Sequence, residues 1–355
     1  MKSAVRKKGL RVAIVGATGM VGYVLLERLE RRRFPVGTLL PFSSGRSRGA
    51  AVRFRGRRVA APGVDVKALR SADIVFLVSS DEVSKRYGKA LAREGVWVID
   101  DSSAFRMDPE VPLVIPEVNA GALSRDKRLV AGPNCTTSGL AVAGYPLHLR
   151  ARARRVRMAS YQAVSGAGRE PLLEYYAQVR RGARSMTGKD ILPRLPAAKA
   201  RAFPKPIAFS LFPHVGSFDE RGDSGEENKV RNELRKIWSA PKLEVSSTTV
   251  RVPVIRGHSL AVWIETDKPL SPRRAEALLA RAPGVTLWKR GDYPTVYETG
   301  GTDPVHVGRI RRSRATPREL AMWVVSDNLL KGAALNSIQV AERLLAKRWL
   351  RPRSL

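Results

Sequence analysis

Cys135 stands in the stretch AGPNCTTSG (131–139) and is the only cysteine in the 355-residue chain. A single thiol forms no intramolecular disulfide. It is therefore either a small buried hydrophobe, the commoner fate of a free cysteine, or a nucleophile that reacts as the thiolate. A second stretch able to do chemistry is GATGMVG (16–22), in which Gly16, Gly19 and Gly22 give the spacing G-x-x-G-x-x-G. Glycines in a turn between a strand and a helix let the backbone approach a pyrophosphate, which then sits at the positive helix N-terminus. The spacing differs from the commoner G-x-G-x-x-G, and a glycine turn of this kind can also be purely structural.

These residues need elements to hold them. Val12, Ile14 and Val15 form a short buried-strand run before the glycine turn, and YVLLERLERR after it has helical periodicity at Val24, Leu25 and Leu29. Further strands are expected at 36–44, 72–80, 96–103 and 128–134, alternating with helical patterns such as SKRYGKALAREG. Apolar runs alternating with helices indicate a parallel doubly wound sheet. In such sheets ligands lie at the carboxyl ends of the strands. The glycine turn, SSAFR and GPNCTT all occupy such ends. After Cys135 the pattern changes to a strand-rich region that starts at 154–168, with more strands expected at 243–255, 259–266 and 284–290. The Pro-, Lys- and Arg-rich stretch 184–210 reads as an irregular excursion, and a long amphipathic helix is expected over 326–350.

Composition narrows the function classes. The chain is long enough for two domains. It has 43% hydrophobic residues and no apolar run of the roughly 18 to 20 residues that span a membrane. The start MKSAVRKKGL runs straight into a strand with no apolar signal core, and a chain without disulfides suits a reducing cytoplasm. Sixty-four Lys and Arg against 32 Asp and Glu give a net charge of +32. Such charge suits nucleic acid, yet the arginines scatter along the whole chain, aromatic content is 6%, and no nucleic-acid-binding module is present. An arginine-rich solvated surface is the favoured reading, with a field that attracts anionic cofactors and substrates.

Nine stretches together resemble the aspartate-semialdehyde dehydrogenase family: GATGMVG, SSGRSRG, DDSSAFRMD, PEVN, GPNCTT, SYQAVSGAG, EENK, RVPVIRGHS and DNLLKGAALNSIQVAE. They occur in the family's order and span nearly the whole chain. The resemblance implies a glyceraldehyde-3-phosphate dehydrogenase-like architecture. Its parts would be a doubly wound α/β (Rossmann) NADP-binding domain, residues 1–135 plus 327–355, and an α+β substrate and dimerisation domain, 136–326.

By resemblance Cys135 is the nucleophile, His258 the acid/base residue, Gln162 the group that orients the thioacyl intermediate, and Asn134 an oxyanion partner. Arg251 would hold the substrate carboxylate, where a planar guanidinium can make a bidentate pair. Glu226 would receive the ammonium, and Arg106 with Lys229 the phosphate. Thr18, Met20 and Val21 join Gly16, Gly19 and Gly22 in the expected cofactor turn, with Ser165 and Gly166 in a second loop and Asn328 near the nicotinamide. No acidic residue ends the second strand, where an NAD-specific site usually places one. Ser44, Arg46 and Ser47 suit a 2′-phosphate instead, so the expected cofactor is NADP(H), with no metal. His148, His214 and His306 match no catalytic position.

The implied reaction is the NADPH-dependent reductive dephosphorylation of L-aspartyl 4-phosphate to L-aspartate 4-semialdehyde in lysine, threonine and methionine biosynthesis. A cytoplasmic homodimer or homotetramer that binds small molecules is expected, with no membrane or nucleic-acid partner. Three other readings compete with this one. N-acetyl-glutamyl-phosphate reductase would carry Gly-Cys-Tyr-Pro at its cysteine, where this chain has Pro-Asn-Cys-Thr. Malonyl-CoA reductase needs no ammonium partner, and Glu226 weighs against it. A basic nucleic-acid-binding protein on a retired enzyme fold is opposed by the intact set of Cys135, Gln162, Arg251 and His258.

Overall fold

The computed structural model describes residues 9–43, 50–185 and 200–353. The chain divides into two compact units, Met1–Asn134 with Ala333–Leu355, and Cys135–Gly332.

The first unit runs β1 (Leu10–Val15), α1 (Met20–Arg31), β2 (Val36–Phe42), β3 (Ala51–Phe54), β4 (Arg57–Ala60), α2 (Val66–Ser71), β5 (Ile74–Leu77), α3 (Asp81–Arg93), β6 (Trp97–Asp100), α4 (Pro116–Asn119) and β7 (Leu129–Ala131). Five strands form a parallel sheet in the order β2-β1-β5-β6-β7. Its central strands are apolar on both faces, because helices cover both sides of a parallel sheet. Val12 to Val15 and Ile74 to Leu77 are all buried. The strand order reverses between β1 and β5, and ligands of open α/β sheets bind at such a switch point. The hairpin β3–β4 is a separate two-stranded addition that the hydrophobic pattern did not announce.

The second unit runs α5 (Cys135–Ala151), β8 (Ala153–Gln162), α6 (Arg169–Ser185), α7 (Gly225–Ile237), β9 (Glu244–Arg251), β10 (His258–Thr266), α8 (Pro272–Leu279), β11 (Val285–Leu287), α9 (Val296–Thr299), β12 (Val305–Arg312) and β13 (Glu319–Ser326). Its six strands form a mixed sheet, β11-β12-β13-β10-β8-β9. Residues of β8 alternate between buried and solvent-facing, the mark of a sheet covered on one side. The covering element is α5, eleven of whose residues are buried. Gly139 lets α5 come close, since a Cβ there would lie 2.6 Å from Ser326 Oγ on β13. Among the described residues no helix is long and apolar enough to cross a membrane.

The chain returns to the first unit with α10 (Leu335–Ala346), which packs on α1, α4 and β6. The expected helix over 326–350 is therefore much shorter, and the return falls at Ala333 rather than at 327. Ser326 still belongs to a strand, and the Asp327 carboxylate turns the chain by accepting the N–H groups of Leu329 (2.9 Å) and Leu330 (3.1 Å). Five residues of π-helix follow, Leu330–Ala334. β12 and β13 were not expected: Val305–Arg312 ends in arginines and offers a broken alternation, with a register shift between Gly308 and Arg311. Of the expected excursion over 184–210, residues 186–199 lie outside the described residues, and 200–210 carry no helix or strand.

Candidate active site

In the first unit the glycine turn follows β1. Gly16 has φ +94°, and a Cβ there would lie 2.4 Å from the Val78 carbonyl oxygen just past β5. Only glycine accepts both conditions. A Cβ on Gly22 would lie 2.3 Å from Gly16 O, so this glycine sets how closely α1 approaches the turn. Gly19 caps α1 without a side-chain bond, and no acidic residue lies in the first turn. Thr18, Met20 and Val21 thus surround a helix N-terminus whose backbone and charge suit a phosphate. Ser44, Arg46 and Ser47 lie outside the described residues.

The ends of β6 and β7 form a second cluster in this unit. Asp100 accepts from Ser84 Oγ (2.6 Å) and Ser102 Oγ (2.8 Å). Arg106 is buried, its Nε donating to the Gly132 carbonyl (2.9 Å) and its Nη2 to the Asp101 carbonyl (2.8 Å). The Asp101 carboxyl accepts from Ser337 Oγ (2.5 Å) on α10, and its Oδ2 is buried with no hydrogen-bond partner. Burial raises its pKa from 3.8 to about 7; the Ser337 bond opposes this, Asp100 adds to it and Arg106 opposes it. Between those two values the folded state keeps a proton that the unfolded chain has released. The stabilisation present in acid is therefore lost as pH rises through about 7. Asp101→Asn never has to ionise, so its thermal midpoint relative to the parent should be higher at pH 8 than at pH 5. Thermal unfolding at the two pH values checks this, and an equal difference at both would contradict the assignment.

The second unit assembles the remaining candidates except Asn134, which ends the first unit. Cys135 is the first residue of α5, a position where the helix N-terminus favours the thiolate. Its Sγ lies 3.3 Å from His258 Nε2. His258 opens β10, follows Gly257 with φ +90°, and is 1% exposed. Burial and then the Arg251 charge push its pKa down to about 3, against a raising contribution from a Gly257 backbone hydrogen bond.

Gln162 and Arg251 end β8 and β9 and are register partners in that parallel pair. Gln162 Nε2 donates to Ser160 Oγ (3.1 Å) and Glu226 Oε1 (3.3 Å), and Thr136 Oγ1 donates to the same oxygen (3.2 Å). Glu226 is held at the start of α7 by a capping box of Ser224 and Glu227, and Glu227 also accepts the Thr249 N–H of β9 (2.8 Å). Lys229 Nζ lies 3.8 Å from Glu226 Oε2. Arg251 is 5% exposed and donates through Nη1 to the Ala163 carbonyl (2.6 Å), while its Nε is buried with no hydrogen-bond partner. A buried guanidinium with an unused N–H suits an incoming carboxylate. Burial lowers the Arg251 pKa, and the charges of Glu226 and Cys135 oppose that shift.

Ser165 and Asn328 bond to one another, and Asn328 Oδ1 also accepts the Gly257 N–H (2.8 Å). These two side chains thus hold the turn that precedes His258. A Cβ on Gly166 would lie 3.0 Å from Arg251 Nη1 and 3.3 Å from His258 Cε1. Of the other histidines, His306 is bonded to Trp288 Nε1 and Thr302 Oγ1, His148 stacks on Trp238, and His214 stacks on Phe218.

Residues 11–125 match the family described as "Semialdehyde dehydrogenase, NAD binding domain", and residues 145–331 match "Semialdehyde dehydrogenase, dimerisation domain". An aspartate-semialdehyde dehydrogenase from Aquifex aeolicus is 41% identical over 95% of this chain and 98% of its own length. One from Synechocystis is 41% identical over 96% and 99%. The crystal structure described as "aspartate semialdehyde dehydrogenase II complexed with ASA", from Vibrio cholerae, superposes with a TM-score of 0.90 at 36% identity, covering 96% of this chain and 99% of that one. The chain belongs to the aspartate-semialdehyde dehydrogenase family.

Within this member of the family, three site residues escaped the sequence reading. Gly332 backs the nucleophile, since a Cβ there would lie 2.6 Å from Cys135 Cβ. Its only sequence signal is a place in the stretch DNLLKG. Ala163 touches Arg251 and His258 through its main chain alone, which no side-chain pattern reports. Thr136, next to Cys135, gives no hint in the sequence that it reaches Glu226, ninety positions away.

Proposed function

We propose that this chain reduces L-aspartyl 4-phosphate to L-aspartate 4-semialdehyde with NADPH, reversibly, through a thioester on Cys135. The observation that carries the reading is Cys135 Sγ at 3.3 Å from His258 Nε2, with buried Arg251, Glu226 and Gln162 in the same unit. The Cys135 thiolate attacks the acyl phosphate carbon, and the C–O bond to phosphate breaks with its electron pair leaving on phosphate. Asn134 and backbone N–H groups at the start of α5 hold the tetrahedral oxyanion. Gln162 keeps the thioester in place. The glycine turn 16–22, Ser44, Arg46 and Ser47, and Ser165, Gly166 and Asn328 hold NADPH, whose chemistry is to supply a hydride. His258 manages the proton at the former carbonyl oxygen as the aldehyde forms and the C–S bond returns its electrons to sulfur. Arg251 takes the substrate carboxylate, Glu226 the ammonium, and Arg106 with Lys229 the phosphate.

Lysine, threonine and methionine biosynthesis in the cytoplasm and assembly as a homodimer or homotetramer belong to the same proposal. Tyr161 on β8 and Trp323 on β13 lie tilted against one another with ring centroids 5.7 Å apart, and Tyr161 is 36% exposed. This aromatic pair, on a sheet whose matching family is described as a dimerisation domain, supports a dimer.

The test is phosphate-dependent reduction of NADP by aspartate semialdehyde, run beside NAD and beside malonate semialdehyde with coenzyme A. Turnover with the first set, preferring NADP, is expected; turnover only with coenzyme A would replace the reading with malonyl-CoA reductase. Arg106→Ala should raise the KM for phosphate far more than that for the semialdehyde in steady-state kinetics. Equal effects on the two would remove Arg106 from the phosphate site.

A further inference from the structure

We infer that the main chain of Ala163 fixes His258 as the neutral tautomer with its proton on Nε2, so that in the resting protein His258 donates a hydrogen bond to Cys135 Sγ and forms no imidazolium–thiolate ion pair. The inference rests on the proposed reading only in treating Cys135 as the nucleophile.

Both ring nitrogens of His258 have a facing group, and the two groups differ in kind. The Ala163 N–H donates to Nδ1 at 3.1 Å. A backbone N–H can only donate, so Nδ1 is the acceptor. A neutral imidazole carries one proton, which is then on Nε2, the nitrogen 3.3 Å from Cys135 Sγ. With the proton on Nδ1 instead, two N–H groups would oppose each other in a buried site and the Ala163 donor would lose its acceptor. A doubly protonated ring has the same conflict, and its positive charge would be buried beside the Arg251 guanidinium. The depressed pKa of His258 agrees with that exclusion. A Gly257 backbone hydrogen bond opposes that shift.

Ala163 holds this position because it is held itself. The segment after β8 is zipped to the segment after β9: Val252 N–H donates to Gln162 O (3.0 Å), Val164 N–H to Val254 O (2.7 Å) and Ser165 N–H to Ile255 O (3.2 Å). Ala163 is fully buried, its N–H serves His258 and its carbonyl accepts from Arg251 Nη1 at 2.6 Å. One residue thereby orients both the ring beside the nucleophile and the buried arginine. Ala163 is a positioning residue that acts through its peptide groups. Three things then favour the thiolate: the Nε2–H bond, the Arg251 charge and the N-terminus of α5. The proton lost by the thiol goes to solvent and not to His258.

The test is 15N NMR of the full chain labelled at its histidine rings, at neutral pH, for the parent and for Cys135→Ala. The expected His258 pattern is a protonated Nε2 and an Nδ1 far downfield in the unprotonated range, unchanged when Cys135 is replaced. Two protonated nitrogens in the parent, one of them lost in Cys135→Ala, would establish the ion pair and overturn the inference. A proton on Nδ1 alone would overturn it equally. Removing His148, His214 and His306 one at a time assigns the His258 signals by elimination, so no His258 variant has to fold. The spectra need no turnover, so a protein inactive with aspartate semialdehyde would sink the proposed function and leave this result readable.

Discussion

Cys135→Ser is expected to lower turnover of aspartate semialdehyde by several orders of magnitude and to abolish thioester formation on the protein. The change replaces a thiol of pKa about 8.5 with a far less acidic hydroxyl in the same place. The oxygen is hardly ionised near neutral pH, so neither the α5 N-terminus nor the His258 contact can make it an effective nucleophile. Cys135 is the chain's only cysteine, so alkylation gives an unambiguous second readout. Iodoacetamide should label one site, stop turnover in parallel with labelling, and be slowed by substrate. Mass spectrometry of the labelled protein with activity measured on the same samples checks both statements. Full activity in Cys135→Ala would return this residue to a packing role.

His258→Ala is expected to lower kcat by about 10²- to 10⁴-fold, the usual range for removing a positioned acid/base group. The affinity for NADPH should stay unchanged. The reasoning is geometric: the ring faces Cys135 Sγ at 3.3 Å. Arg251 stays charged and Gln162 has no titratable group. The truncation also leaves the Ala163 N–H without its acceptor, so thermal unfolding of the variant should accompany the kinetics. A folded variant that loses less than tenfold in kcat, or that loses cofactor affinity to the same degree, would make His258 a structural residue.

What the amino-acid sequence determined by itself was local. Apolar runs such as those of β1 and β5 report burial on both faces of a parallel sheet, and the glycine turn reports a backbone approach that side chains would block, as the close contacts of Gly16 and Gly22 show. The nine stretches in order marked the family and put Cys135, His258, Gln162, Glu226, Lys229 and Arg251 on one list before any of them had a neighbour. The tertiary structure decided which of them meet. Cys135 and His258 are 123 positions apart, and their 3.3 Å contact depends on where α5 begins and on the register of β10 against β8 and β13. Register follows from many burial choices summed over a sheet, so no single residue announces it. The same holds for Ala163, whose contribution is a peptide N–H and a carbonyl that every residue except proline possesses. At the end of the chain, periodicity suggested one helix over 326–350, but a strand runs to Ser326, and the Asp327 carboxylate spends the next turn on backbone N–H groups before α10 begins at Leu335. Apolar spacing measures which side a residue faces. It does not say which partner waits there, and that is settled only when the strands are paired.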